Sequence, residues 1–411
     1  MNKRIMIIGG GASGLMAAVW AARFGASVTI LEHNEKPGKK LLASGNGKCN
    51  LTNRMLDPSQ YQSDRPELVK KVLHAFSPED TCRWFEKIGL RTFDRQGWVY
   101  PCTEQASSVL ELLLWEAERQ HVHFKNKEEV LAVSRGEDDP FLIRTKTWEY
   151  AADAVIIASG SPASAVRGSS DLARQLADSF RLPFRPFRPV LVPLQASDSA
   201  LSVWNGTRVH AGVRLFIDGL PHREETGEVQ LTSYGISGIP IFQLSRAVSA
   251  ALDVQKQVTL LLDFLPEVSE NELEELWRER ELYDSTKPYG LLLAGLLPER
   301  LIPVVLAAAG LKKNIRPSME DHDENGAVHI LLQLLKEFPV RIRKTASPEQ
   351  AQICSGGICL SALQDSLCCR TVPGLYAAGE AVNVDGPCGG YNLQWAWSSG
   401  FVAGRAAAGG N

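Results

Sequence analysis

What the chain has little of narrows it first. Its eight cysteines form no CxxC pair and stand at no Cys/His ligand spacing, which argues against zinc-ribbon and thioredoxin-type chemistry, and no metal site is expected. Scattered thiols in a chain of 411 residues suit a reducing cytoplasm. Basic excess is missing too: the net charge is -3, which counts against a nucleic-acid binder that works through a general basic surface. No apolar run is long enough to span a membrane. The nearest, Leu291 to Leu311, is interrupted by Pro298, Glu299, Arg300 and Pro303. The opening Met-Asn-Lys-Arg and the apolar residues after it imitate a signal peptide, but that run breaks at three glycines. What remains, 44% apolar and 22% charged residues, is ordinary for a folded chain with room for two or three domains.

What is present is concentrated at the start. Ile5 to Ile8 reads as a buried strand, and Gly9-Gly10-Gly11-Ala12-Ser13-Gly14 after it matches GxGxxG. In that pattern the glycines allow a sharp turn, a close pyrophosphate and a close helix, whose N-terminus faces the phosphates. Leu15, Ala18, Val19 and Ala22 give the helix one apolar face, and Gly25 ends it. Ser27 to Leu31 reads as a second parallel strand. Glu32 closes it, 21 residues after Gly11, where a carboxylate accepts hydrogen bonds from a ribose. That acid would repel a 2′-phosphate, so FAD or NAD remains. A lone GxGxxG is weak, but here strand, glycines, helix, strand and acid agree in spacing.

Further along, Lys36 to Asn53 is rich in glycine, lysine and small polar residues. It suits either a solvated loop or a second cofactor contact. Cys49 within it is either a small buried thiol or a redox or nucleophilic one. Residues 65 to 90 read as helical, and a further helix is expected from about Ser107 to Gln120 with Val109, Leu112, Leu113 and Glu116 on one period. Short strands follow at Val130 to Val133, Phe141 to Thr145 and Thr147 to Tyr150. Asp153 to Gly160 returns to a buried strand whose Ser159-Gly160 end would let backbone approach a ligand.

From Pro189 the pattern alternates: Val190 to Leu194, Val213 to Ile217 with an Asp218-Gly219 turn, then Glu228 to Thr232. A helix is expected over Pro240 to Ala250. Residues 269 to 336 are strongly helical, opening with a Ser269/Glu272 capping box. The chain closes with a strand at Leu375 to Ala378, then Gly379-Glu380, Asp385, and Gly389-Gly390 opening a last helix through Tyr391, Asn392 and Leu393. This second strand-loop-helix makes the nucleotide domain discontinuous. Asp385 suits a polyol hydroxyl, and the helix N-terminus suits negative charge on a flavin ring. NAD has no ribityl chain to use that loop, which favours FAD.

These segments, together with Gly38 to Asn50, Gly97 to Pro101, Leu231 to Pro240 and above all Pro373 to Glu380 and Asp385 to Gly400, resemble the BaiN/RdsA-type family of bacterial NAD(P)/FAD-dependent oxidoreductases. The resemblance runs nearly end to end. It implies an α/β fold in three parts: a two-part Rossmann-like FAD domain (1–189 and 357–411), an inserted β-rich substrate domain (190–266 and 337–356) and a nested helical domain (267–336). It implies FAD contacts at Gly9, Gly11, Ala12, Ser13, Gly14, Glu32, Lys40, Leu41, Ser44, Gly45, Gly47, Asn50, Glu380, Asp385 and Gly390 to Leu393, with Ser159, Gly160 and Gly379 beside them. Ser233 stands where the family commonly has a histidine, and Ser366 to Thr371 also departs from its pattern.

The expected chemistry is hydride transfer between flavin N5 and a small organic substrate. No second strand-linked GxGxxG appears, so any NAD(P)H binds transiently, or oxygen is the second substrate. Cys49, Tyr100, Tyr234 and Ser237 are the candidate proton donors or substrate holders. The alternatives are an RNA-linked flavoprotein, with Lys312-Lys313 and Arg316 on phosphate, and a flavin-bound sensor without turnover.

Overall fold

The computed structural model describes residues 2–136, 140–164, 171–284, 286–318, 321 and 326–410. Its contacts divide into two units, Met1–Arg188 with Gln352–Asn411, and Pro189–Ala351. The first unit is built on a parallel sheet in the order Leu375–Ala377, Ala154–Ile157, Arg4–Ile8, Ser27–Glu32, His123–Asn126. Ile5 to Ile8 register against Ala154 to Ile157 on one side, and Ile5, Ile7 and Ile8 are buried. A strand covered on both faces reads as a continuous apolar run, as these do. The fold class expected for this part, a Rossmann-like parallel sheet, is the one observed.

The C-terminal helix Tyr391–Ala407 lies against the glycine-turn helix Ala12–Arg23. A Cβ at Gly400 would stand 2.5 Å from the carbonyl oxygen of Ser13, and one at Gly404 would overlap Ala17. The two backbones therefore touch. The helix Ala106–Arg119 is anchored to the same layer through Glu116, whose side chain is fully buried. Its carboxylate accepts from Arg23 Nη2 at 2.6 Å, Arg119 Nε at 2.8 Å and Gln120 Nε2 at 2.9 Å. Sequence periodicity put Glu116 on the apolar face, and ion pairing explains how an acid can sit there.

The helical stretch 65 to 90 is two helices, Pro66–Ala75 and Pro78–Lys87. Ser77 is extended before Pro78 and closes a capping box with Asp80, so the break is local chemistry. In the meander, the third strand is Glu149–Ala152 rather than Thr147 to Tyr150. Thr145 Oγ1 accepts from Trp148 N at 2.9 Å and holds residues 145–148 as a turn.

The second unit is a closed barrel in the order Leu194–Ala196, Gly235–Gly238, Leu220–Thr232, Thr207–Ile217, Val258–Asp263, Phe338–Thr345. The expected single strand Val190 to Leu194 is divided: one strand, Phe184–Val190, ends just before Leu191, which is left-handed at φ 51, and another begins at Leu194. The hairpin at Asp218-Gly219, φ 51 and 78, is longer than its apolar core suggested. Arg208 and Glu228 pair across it at 2.8 Å, so polar outward positions hid its length. The helices Glu270–Tyr283, Tyr289–Leu293, Ile302–Ala308 and Ala327–Lys336 fall between two adjacent barrel strands and share the barrel's apolar core. The Ser269/Glu272 capping box is present.

Burial alone would raise the Glu116 carboxyl, but hydrogen bonds from Arg119, Arg23 and Gln120 outweigh it and hold it below the usual carboxylate range. Its contribution is therefore full above about pH 4.3 and is lost as pH falls through the depressed folded value. Glu116→Ala should cost about 2–4 kcal/mol at pH 7, because Arg23 loses its buried partner while still reaching some water. Denaturant unfolding of wild type and variant checks this, and the gap between them should narrow in acid.

Candidate functional site

The candidate site is gathered at the carboxyl ends of the parallel strands. Gly9, at φ 105, would place a Cβ 2.5 Å from the carbonyl oxygen of Ala158, and a Cβ at Gly14 would overlap the carbonyl of Gly9. These two glycines are demanded by packing. Gly11 differs: a Cβ there would meet nothing within 4 Å. The middle glycine thus leaves backbone bare toward open space, and no side chain caps the helix behind it. The first amides, those of Ala12, Ser13 and Gly14, have no acceptor within the helix, as at any helix start. Ser159 Oγ, beside Gly9, is buried without a hydrogen-bond partner.

Glu32 is 5% exposed. Its Oε2 accepts from Gly10 N at 2.9 Å, and its Oε1 from Asn34 N and Nδ2, both at 2.8 Å. The acid expected to meet a ribose also clamps the glycine turn. Oε2, with its single donor, retains acceptor capacity for a hydroxyl.

The loop after Glu32 forms the short helix Lys39–Ala43, whose Leu41 is buried, and a turn over Ser44–Gly47 in which Gly45 is left-handed. Ser44 Oγ donates to Leu41 O at 2.6 Å. Two bonds carry this loop to the far end of the chain. Lys40 Nζ donates to Glu380 Oε2 at 2.6 Å, and Asn50, with its side-chain amide oriented to satisfy both of its ends, accepts from Gly390 N at 3.3 Å while donating to Thr52 O and Val99 O. Ser161 Oγ also donates to Glu380 Oε2 at 2.6 Å. Gly390 is left-handed at φ 88, and a Cβ there would stand 2.5 Å from Thr52 backbone.

The C-terminal helix fixes the other wall. Gly379 N donates to Ser399 Oγ at 2.9 Å and Gly379 O accepts from Trp395 Nε1 at 3.1 Å. Asn392 brackets Gly386, accepting from its amide and donating to its carbonyl, each at 2.9 Å. Tyr391 O accepts from Tyr61 OH at 2.6 Å. Asp385 is buried and pairs through backbone with Gln62, and Leu393 is half-buried. Gly47 and Gly160 are both left-handed, with open space where a Cβ would go.

Of the candidate reactive residues, Cys49 and Tyr100 belong to this unit. Cys49 is fully buried, and burial pushes its thiol up to about 12 against the smaller opposing effect of a hydrogen bond with Ser44. Burial thus keeps the thiol protonated at neutral pH. Tyr100 is half-buried on the strand Trp98–Pro101, and burial raises its phenol while Arg95 pulls the other way. Tyr234 and Ser237 lie in the second unit, on the turn after Leu220–Thr232 and in Gly235–Gly238 respectively. Tyr234 is 38% exposed and Ser237 is buried.

Sequence reading missed Ser161, Cys354 and Trp98. Cys354, on Ile353–Ile358, is raised to about 11 by burial and then by Glu380, with Lys40 and Ser161 opposing. No local pattern marks it, since its neighbours are distant in sequence. Trp98 packs on Gly389, and its place in a Gly-Trp-Val-Tyr-Pro run was the available signal. Among the described residues no His/Cys/Asp/Glu cluster could hold a metal, and no helix is long and apolar enough to cross a membrane.

The profile of the HI0933-like protein Rossmann domain matches residues 3–406. The chain belongs to this family. That agrees with the resemblance carried by its motifs. It is 39% identical over 416 positions to a 3-dehydro-bile acid delta(4,6)-reductase of Clostridium scindens, covering 98% of this chain and 99% of that one. It is 28% identical to a ribosomal RNA dihydrouridine synthase of Escherichia coli, covering 97% and 96%. In fold it is similar to a 3-ketosteroid delta1-dehydrogenase from Sterolibacterium denitrificans, with a TM-score of 0.50, 11% identity, and coverage of 99% and 100%.

Native-state labelling with a thiol reagent should mark exposed Cys102 quickly and leave Cys49 unlabelled until unfolding. Rapid labelling of Cys49 at pH 7.5 would contradict its burial.

Proposed function

We propose that this protein is an FAD-dependent oxidoreductase that saturates a carbon–carbon double bond conjugated to a carbonyl in a small, flat organic substrate. NAD(P)H, bound transiently, is the proposed electron source. The observation that carries the reading is that the helix opened by the 9–14 glycine turn packs backbone to backbone on the C-terminal helix, while Lys40–Glu380 and Asn50–Gly390 tie the loop after Glu32 to the second glycine segment. NAD would have no use for the second segment, whereas a flavin dinucleotide uses both. The direction and substrate class are supported by the 39% identity to a protein named for delta(4,6) reduction of a 3-dehydro bile acid.

The donor set fits FAD: bare amides at Ala12 to Gly14 for the pyrophosphate, Glu32 Oε2 for a ribose hydroxyl, the Ser159 hydroxyl, and Glu380 and Asp385 for the polyol. When bound, FAD supplies hydride-transfer chemistry through its flavin ring. The chain's own part is to hold, orient and protonate. The N-terminus of Tyr391–Ala407 favours negative charge beside Gly390. Tyr100, its phenol kept protonated at neutral pH, holds a proton at its Oη for transfer to substrate, with Tyr234 and Ser237 as further candidates.

A second reading rests on the full-length 28% identity to a ribosomal RNA dihydrouridine synthase. Both relatives' names describe saturation of a double bond conjugated to a carbonyl, so the two readings differ in substrate rather than chemistry. The net charge of -3 favours the small molecule. Anaerobic incubation of NAD(P)H-reduced protein with a 4-en-3-one steroid, and separately with unmodified ribosomal RNA, decides between them by the mass gain of two hydrogens in one or the other. Reduction of neither, with peroxide formed from an amine in air, would make it an oxidase and overturn the proposal.

Glu32→Ala should weaken FAD by about 1.5–3 kcal/mol, the worth of charge-assisted hydrogen bonds. Equilibrium dialysis measures it, and unchanged affinity would place the ribose elsewhere. Tyr100→Phe should retain FAD and lose at least about tenfold in turnover, measured by steady-state enone reduction.

A further inference from the structure

The hairpin formed by Thr92–Arg95 and Trp98–Pro101 turns one aromatic face outward. Phe93 registers opposite Tyr100 and Arg95 opposite Trp98, so these four side chains share a face while Val99 and Pro101 are buried on the other. The Phe93 and Tyr100 rings stack with centroids 5.9 Å apart and planes 27° apart. The Arg95 guanidinium lies 5.5 Å from the first ring and 5.7 Å from the second.

Both ends of this face are tied to segments that the reading above assigns to FAD. At one end the Trp98 ring abuts Gly389, where a Cβ would stand 2.8 Å from it. At the other, Glu104 Oε1 accepts from Arg95 Nη2 at 3.4 Å and from Lys48 Nζ at 3.1 Å, and Lys48 immediately precedes Cys49 and Asn50. Glu104 is itself left-handed at φ 49, a conformation that a non-glycine residue adopts at some cost.

Three half-buried aromatic side chains and an exposed cation share this face. We propose that this face is the shelf for the substrate's ring system, and that Arg95 is the specificity-determining residue that donates to the substrate carbonyl oxygen. Glu104 is the positioning residue that holds Arg95 over the shelf. The proposal rests on the enone reading above. A flat conjugated skeleton would lie along the ring pair beside the guanidinium that covers it. Arg95 has five N–H donors, and the bond to Glu104 occupies only part of that fork. A fixed cation at the carbonyl oxygen matches the negative charge that grows there when the conjugated double bond is saturated. The Glu104–Lys48 bond relates the position of the shelf to that of the cofactor loop.

The test is equilibrium binding of androst-4-ene-3,17-dione to the oxidised holoprotein by calorimetry, without reductant, with FAD content measured in parallel. Arg95→Gln should weaken binding about tenfold, the loss of one charge-assisted hydrogen bond, at unchanged FAD content. Arg95→Lys should recover part of it. Glu104→Gln should weaken binding less, and should add nothing in the Arg95→Gln background, because it acts through Arg95. The corresponding skeleton lacking the 3-carbonyl should bind wild type and Arg95→Gln alike. Wild-type affinity in Arg95→Gln, or additive losses in the double variant, would overturn the shelf while leaving the enone reading intact. Failure of the wild-type holoprotein to bind or reduce any enone would instead overturn the enone reading, and the shelf with it.

Discussion

The first unit depends on the contact between its first and last helices. Glycines at 400 and 404 bring Tyr391–Ala407 so close to Ala12–Arg23 that backbone meets backbone with no room for a methyl group. The same helix then reaches out with polar atoms. Trp397 Nε1 donates to Leu51 O at 2.9 Å, and Gln394 accepts from Thr52 and Thr81 while donating to Phe76 O and Ser398. Buried hydrogen bonds of this kind specify one arrangement, because any slip leaves a polar group unpaired. The glycine turn, the Gly379 peptide and the Lys40–Asn50 loop are thus all referenced to one helix.

Hydrogen-bond satisfaction differs between the two buried acids and between Gln394 and Ser159. Glu116 takes donors from three side chains and is complete, so it serves the fold. Gln394 uses both its oxygen and its nitrogen and does the same. Glu32 receives protein donors and still keeps acceptor capacity at Oε2, while Ser159 Oγ is buried with none. Such incompletely satisfied groups, together with bare amides at a helix start, are what a ligand with hydroxyls and phosphates would complete. The second unit keeps its polar groups mainly outside, and its alternating strands fill a barrel with Val213, Leu215, Leu260 and Val340.

Much of this was legible in the order of residues because it is local. The glycine turn, the Ser269/Glu272 cap and the Asp218-Gly219 hairpin are each set by a few adjacent side chains. The α/β class followed from motif spacing, and the family from a resemblance carried by the residues of those motifs. Features set by distant partners were not legible. Glu116 in a helix period gives no sign of Arg23, nor Cys354 of Glu380, nor Glu104 of Lys48. The long hairpin was underestimated because its outward positions carry charges that pair only across strands. Cys49, in a loop of small polar residues, read as either a buried or a reactive thiol. Its burial arises from tertiary packing that composition does not report.

The most direct test of the central claim is the visible spectrum and FAD stoichiometry of the purified protein, with the apoprotein reconstituted by dialysis against FAD. One tightly bound FAD per chain, lost when Gly390 is replaced by valine in an otherwise folded protein, is the predicted result. A colourless protein that folds normally and takes up no FAD would contradict the account.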